Sequence, residues 1–155
     1  MSIDNDIASL ERVPALRLLG REALRALAIG AESQIIQEGE TLFYAGDPAD
    51  GGYVIQEGAF GLKPNIPSNA EEMTAKAGML LGELALLAET AHFATAVARA
   101  PSTVLRISRH LFLKLLESYP DGARKLRDQM AARAIQSAQD IEKVRAKFDA
   151  GKTPR

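Results

Sequence analysis

Apolar side chains at Ile7, Leu10, Val13, Leu16, Leu19, Leu24 and Leu27, with Leu18 and Ile29 beside them, recur mostly at three- and four-residue intervals. Pro14 and Gly20 interrupt them, so the spacing predicts short amphipathic helices separated by a turn over 7–30, with Asp6 and Ser9 available as caps. From Ser33 the pattern changes to short apolar pairs bounded by Gly39, Gly46, Pro48, Gly51, Gly52, Gly58, Gly61 and Pro64. That punctuation predicts an antiparallel barrel or jelly roll over 33–107, in which Gly39, Gly46 and Gly58 serve turns. The run Asp47-Pro48-Ala49-Asp50-Gly51-Gly52 reads as a turn, and Pro64 to Glu72 as a hairpin loop. Further strands are predicted at Met73–Ala77, Ala94–Val97 and Thr103–Ile107.

Ser108 is placed to cap a helix carrying Leu111, Phe112, Leu115 and Leu116, which Tyr119-Pro120 ends. Asp121 opens a longer one. Its apolar positions at Ala123, Leu126, Met130, Ala134, Ala138, Ile141, Val144 and Phe148 keep helical spacing, so 108–149 is read as the C-terminal helices and Gly151 to Arg155 as a frayed end. A small barrel offers little cover for so long a stripe. Leu126, Met130, Ala134, Ile141, Val144 and Phe148 are therefore expected to pack on another chain, as a homodimer or with a partner protein; the alternative is a helix folded back on its own domain. No repeat or linker divides the chain, which is read as one domain over 1–155.

Composition narrows the class. The 155 residues are 46% hydrophobic and 25% charged, with a net charge of −1, ordinary for a globular domain. Acidic residues outnumber basic ones up to Pro120 and the balance reverses beyond it. Those basic residues are spread along a helical pattern, which argues for a solvated helix face and against direct nucleic-acid binding. There is no cysteine, hence no disulfide and no thiolate metal site. The start lacks a signal-peptide pattern and no run approaches the ~18 apolar residues of a membrane span, so the chain reads as soluble, cytoplasmic and free of the membrane.

The chemistry concentrates in Gly78-Met79-Leu80-Leu81-Gly82-Glu83-Leu84-Ala85-Leu86-Leu87, followed by His92-Phe93-Ala94-Thr95. A glycine that exposes backbone N–H groups beside one carboxylate in apolar surroundings suits a small polar ligand: the donors hold an anion and Glu83 accepts from a hydroxyl. The plainer reading is a turn over Leu84–Leu87 capped by Glu83. His110, on a predicted helix with no ligating partner at suitable spacing, reads as structural or surface. Two histidines, no cysteine and no Ser/His/Asp order give no support for catalysis or for a metal.

The stretch from Glu38-Gly39-Glu40-Thr41-Leu42-Phe43 through Asp47-Pro48 to Gln56-Glu57-Gly58 closely resembles the entry strands of the cyclic-nucleotide-binding domain of catabolite-activator-like regulators, protein kinase A regulatory subunits and gated channels. Residues 78–95 then fall where that family keeps its phosphate-binding cassette, and the resemblance runs from about Ile7 to about Met130. It implies a mainly β fold, a cyclic-nucleotide β-roll or jelly-roll barrel with flanking helices and a long C-terminal helix. It also implies that Glu83 accepts from a ribose 2′-hydroxyl, that the backbone at Gly82 and Leu84 holds the cyclic phosphate, and that His92, Phe93, Ala94 and Thr95 complete the ligand site. His92 and Phe93 depart from the family, which usually has Arg followed by a small residue. Imidazole makes one bond where guanidinium makes two and is mostly neutral at pH 7, while Phe93 is expected to fill the pocket or stack on a base. Arg99 is the nearest substitute cation in sequence. Thr95 either donates to the phosphate or bonds backbone.

The function so implied is a stand-alone, non-enzymatic sensor that binds cAMP or cGMP weakly, needs no other cofactor, and relays occupancy through its C-terminal helix. The chain ends about where a helix-turn-helix reader would begin in the catabolite-activator group. The alternative is an interaction protein on the same fold whose pocket takes no cyclic nucleotide.

Overall fold

The computed structural model describes residues 3–64 and 71–133. It opens with three helices, α1 (Ile3–Glu11), α2 (Pro14–Arg17) and α3 (Arg21–Gly30), with Pro14 in the first turn of α2 and Gly20, at φ +91°, leading into α3. Because α1 begins at Ile3, Asp6 and Ser9 lie inside it and do not cap it. They face the barrel instead: the Gln56 Nε2 amide donates to Asp6 Oδ1 at 2.8 Å and to Ser9 Oγ at 3.2 Å, tying the helix to a strand.

The strands are β1 (Glu32–Ile36), β2 (Thr41–Phe43), β3 (Pro48–Ala49), β4 (Gly51–Glu57), β5 (Ala59–Pro64), β6 (Met73–Lys76), β7 (Leu80–Leu81), β8 (Thr90–Ala91), β9 (Ala94–Ala98) and β10 (Ser102–Ser108). They form two four-stranded antiparallel sheets, ordered β1-β10-β4-β7 and β2-β9-β5-β6, plus the small ribbon β3-β8. Strands β5 and β6 pair antiparallel up to Leu62 and Met73, as a hairpin requires; the loop expected between them lies largely outside the described residues. One expected turn is a strand. Gly51 and Gly52 begin β4 opposite Ser108 and Ile107, and a Cβ on Gly51 would stand 2.1 Å from the Ile107 carbonyl oxygen, so the glycine serves close approach of two strands.

Alternation along the central strands divides the interior in two. Ile55 and Val104 point between the sheets, where they join Phe43, Phe60, Leu62 and Ala96; Val54, Leu105 and Ile107 point outward to a second core made with the helices. Helix α4 (Arg109–Ser118) starts at Ser108, whose Oγ accepts from the Leu111 N–H at 3.1 Å. A further helix, α5, follows over 120–133.

That second core corrects the expectation for the C-terminal stripe. Leu126 is 3% exposed among Leu16, Phe112 and Leu115 of its own domain, and Met130 packs against the same cluster. The N-terminal helices and α4 supply the apolar layer that a barrel alone lacks. Gly122 makes the seating close, since a Cβ there would lie 2.7 Å from the Leu19 carbonyl oxygen. Ala134, Ala138, Ile141, Val144 and Phe148 fall outside the described residues.

Candidate functional site

Strand β7 hydrogen-bonds along β4, and the chain then leaves the sheet at Gly82, whose φ of +82° favours glycine. A short 3₁₀ turn, Leu84–Leu86, follows, with Ala85 and Leu86 buried and Leu84 68% exposed. The chain returns through β8 to His92, whose N–H donates to the Asp47 carbonyl and whose carbonyl accepts from the Gly46 N–H, each at 2.9 Å. Between turn and return lies a cavity of about 380 Å³ bordered by Phe43, Met79, Gly82, Glu83, His92 and Phe93. Its size falls within the usual range for small-molecule sites.

Five of the expected ligand residues, Gly82, Glu83, Leu84, His92 and Phe93, come together on this cavity. Ala94 and Thr95 do not line it. Ala94 is fully buried in the core between the sheets, and the Thr95 Oγ1 accepts from the Ala45 N–H at 2.9 Å, bracing the loop after β2.

The Glu83 side chain makes no capping bond to the 3₁₀ turn. Its carboxylate instead takes the guanidinium of Arg133, from the last described turn of α5. The His92 ring lies flat on Phe43, with centroids 3.9 Å apart and planes 8° from parallel. Burial there pushes the imidazole pKa below its ordinary 6.5, against the opposing pull of Asp47 and Asp50, which favours the neutral ring. Phe93 does not fill the cavity; it is 57% exposed and stands at the mouth. Arg99 offers no substitute cation, because it is paired with Glu72 on the outside of the barrel. His110 is exposed on α4.

Two residues that the sequence reading passed over organise the site. Arg133 is one. The other is Arg109, whose guanidinium donates to the carbonyls of Ala49 and Ala85, both at 3.1 Å, and of Ala88 at 2.9 Å, fastening the 3₁₀ turn to β3. Its signal was a cation in the first position of a helix, where the helix dipole disfavours positive charge unless something else draws it in. Among the described residues no cluster of His, Cys, Asp or Glu is arranged to hold a metal, and no helix is long and apolar enough to cross a membrane.

A mainly antiparallel barrel with helices at both ends and a Gly-Glu turn over a cavity is the architecture of cyclic nucleotide-binding domains. The family model for the cyclic nucleotide-binding domain matches residues 34–119, and the chain belongs to that family. A solved cyclic nucleotide-binding-like protein from Brucella abortus is 36% identical, with a TM-score of 0.66 over 74% of this chain and 99% of that one. The N-terminal domain of a transcriptional regulator from Streptomyces coelicolor is 27% identical, with a TM-score of 0.78 over 86% of this chain and 94% of that one. An uncharacterized NTE family protein of Mycobacterium bovis is 32% identical over 112 residues, which make up 72% of this chain and 19% of that relative's length.

Proposed function

We propose that this domain is a non-enzymatic regulatory module of the cytoplasm that binds a cyclic nucleotide, cAMP or cGMP, weakly and reports occupancy through α5. The observation that carries this reading is the Glu83–Arg133 ion pair. Glu83 matches the family's ribose-binding glutamate, and a carboxylate already engaged by Arg133 must exchange that partner, at least in part, to accept from a ribose hydroxyl. Ligand entry and helix release are then one competition for one side chain. Weakness follows from His92: a neutral imidazole in place of guanidinium removes a charge-assisted bond of about 1.5–3 kcal/mol, roughly ten- to a hundredfold in affinity. Association of two copies through Ala134, Ile141, Val144 and Phe148 belongs to the same proposal, now without Leu126 and Met130, which pack on the domain's own core.

Calorimetric titration with cAMP and cGMP, paired with hydrogen exchange over 123–133, tests the reading. Weak saturable binding with faster exchange in α5 is expected. No heat at millimolar concentrations of either nucleotide overturns it in favour of an interaction module on the same fold. One observation favours that second reading: Leu84, Phe93, Met73 and Met79 are all exposed around the cavity, an apolar rim that suits a protein surface.

A further inference from the structure

The cavity beside Gly82 and Glu83 is walled largely by Phe43, Leu62, Met79, Leu81 and Phe93, and among the described residues no Lys or Arg lines it. Three arginines that could supply a charge are already engaged. Arg109 is spread over three carbonyl oxygens, Arg133 is paired with Glu83, and Arg99 with Glu72. What remains toward the cavity is one carboxylate whose charge Arg133 already balances, so that neither offers a free cation to a phosphate, and one imidazole laid flat on Phe43, which presents a ring more than a charge. Taking a phosphate anion out of water into such surroundings is costly without a compensating cation. An uncharged aromatic body meets no such penalty, and Phe93 at the mouth, 57% exposed, gains cover by stacking on it.

We propose that this pocket selects an uncharged ligand with a flat aromatic body and a hydroxyl or amine donor, and discriminates against a cyclic phosphate. The body packs against Phe93 and the wall formed by Phe43 and His92, and the donor reaches Glu83. This rests on the reading of the cavity as a sensor's ligand site and names the class of ligand it prefers.

The test uses the whole chain, the neutral dye N-phenyl-1-naphthylamine as a fluorescent probe, and adenosine against cAMP as competitors, since these share base and ribose and differ in the cyclic phosphate. Dye binding, displaced by adenosine at least as well as by cAMP, is expected. His92→Arg restores a cation and should move the affinity ratio toward cAMP by about tenfold. Leu84→Lys does so from a position 68% exposed, where folding is not at stake, and should move the ratio in the same direction. Wild-type preference for cAMP over adenosine by tenfold or more overturns the proposal. So does failure of both dye and adenosine to bind at millimolar concentration in a chain that still melts cooperatively. Adenosine preference without any change in α5 exchange upholds the selectivity and removes the sensor relay instead.

Discussion

The Glu83 carboxylate and the Arg133 guanidinium, fifty residues apart in the chain, form an ion pair that joins the rim of the cavity to α5. Glu83→Gln keeps the size of the side chain and removes its charge. With the two side chains 31% and 53% exposed, the loss of stability should be only about 0.2–1 kcal/mol. Hydrogen exchange should rise in the last turn of α5 while the barrel strands keep their protection, which peptide-resolved exchange and a parallel thermal melt will separate.

Leu126 belongs to the domain core, so Leu126→Ala should cost about 2–5 kcal/mol in denaturant unfolding. Met130→Ala should cost less, because Met130 is only partly buried on the same cluster.

Two-copy association, by contrast, should depend on the later stripe. Ile141→Asp should convert a dimer to a monomer in sedimentation at tens of micromolar and leave the melting of the barrel nearly unchanged. Sedimentation of the wild type as a monomer at that concentration removes the dimer from the proposal.

The depressed pKa of His92 sets a direction for pH. The unfolded chain takes up a proton at this residue near 6.5 and the folded chain only at lower pH, so acidification through that window binds more protons to the unfolded state and lowers stability. Above it the contribution is flat. His92→Gln should flatten the slope of stability against pH between the unfolded and folded pKa values, as read from melts across a pH series. In the same window cyclic-nucleotide affinity should rise, because the protonated ring adds the missing positive charge.

Arg109→Met should leave the carbonyls of Ala49, Ala85 and Ala88 without their shared donor, at a cost of about 1.5–3 kcal/mol. Arg109→Lys should recover part of this, since all three carbonyls converge on the single nitrogen Nη1 and an ammonium also supplies three donors, but on a shorter side chain. Urea unfolding measures both.

Where local physics decides, the sequence was readable. The helical spacing from Ile7 to Leu27, the Ser108 cap and the Gly82-Glu83 turn each rest on neighbours within a few residues, and each was found. Gly51-Gly52 misled because a glycine pair looks alike whether the chain must bend or a partner strand must come close, and only the register against Ile107 tells them apart. The stripe on α5 was visible, but not the surface that covers Leu126, since that surface is assembled from α1, α2 and α4 on the outer face of the sheet. Glu83 was singled out and its partner was not. Nothing near Arg133 in sequence points to a turn so distant, whereas the departures at His92 and Phe93 stood out because family position fixes them.

Beyond the burial of Ala123 and Leu126, two attachments of α5 differ in kind. At Gly122 the helix backbone rests on the backbone at Leu19, a contact with no slack, while at Arg133 it is held by an ion pair at the surface. The eleven helical steps from Gly122 to Arg133 span about 16 Å at the rise of an α-helix. In the proposed relay such an element would act as a lever, with Gly122 as its fulcrum and Arg133 as its releasable tip. A tilt of about 10° would carry the tip about 3 Å, enough to part a carboxylate from a guanidinium. A ligand too small to push on the hydrophobic core could still command the helix, because it acts at the end of the longer arm.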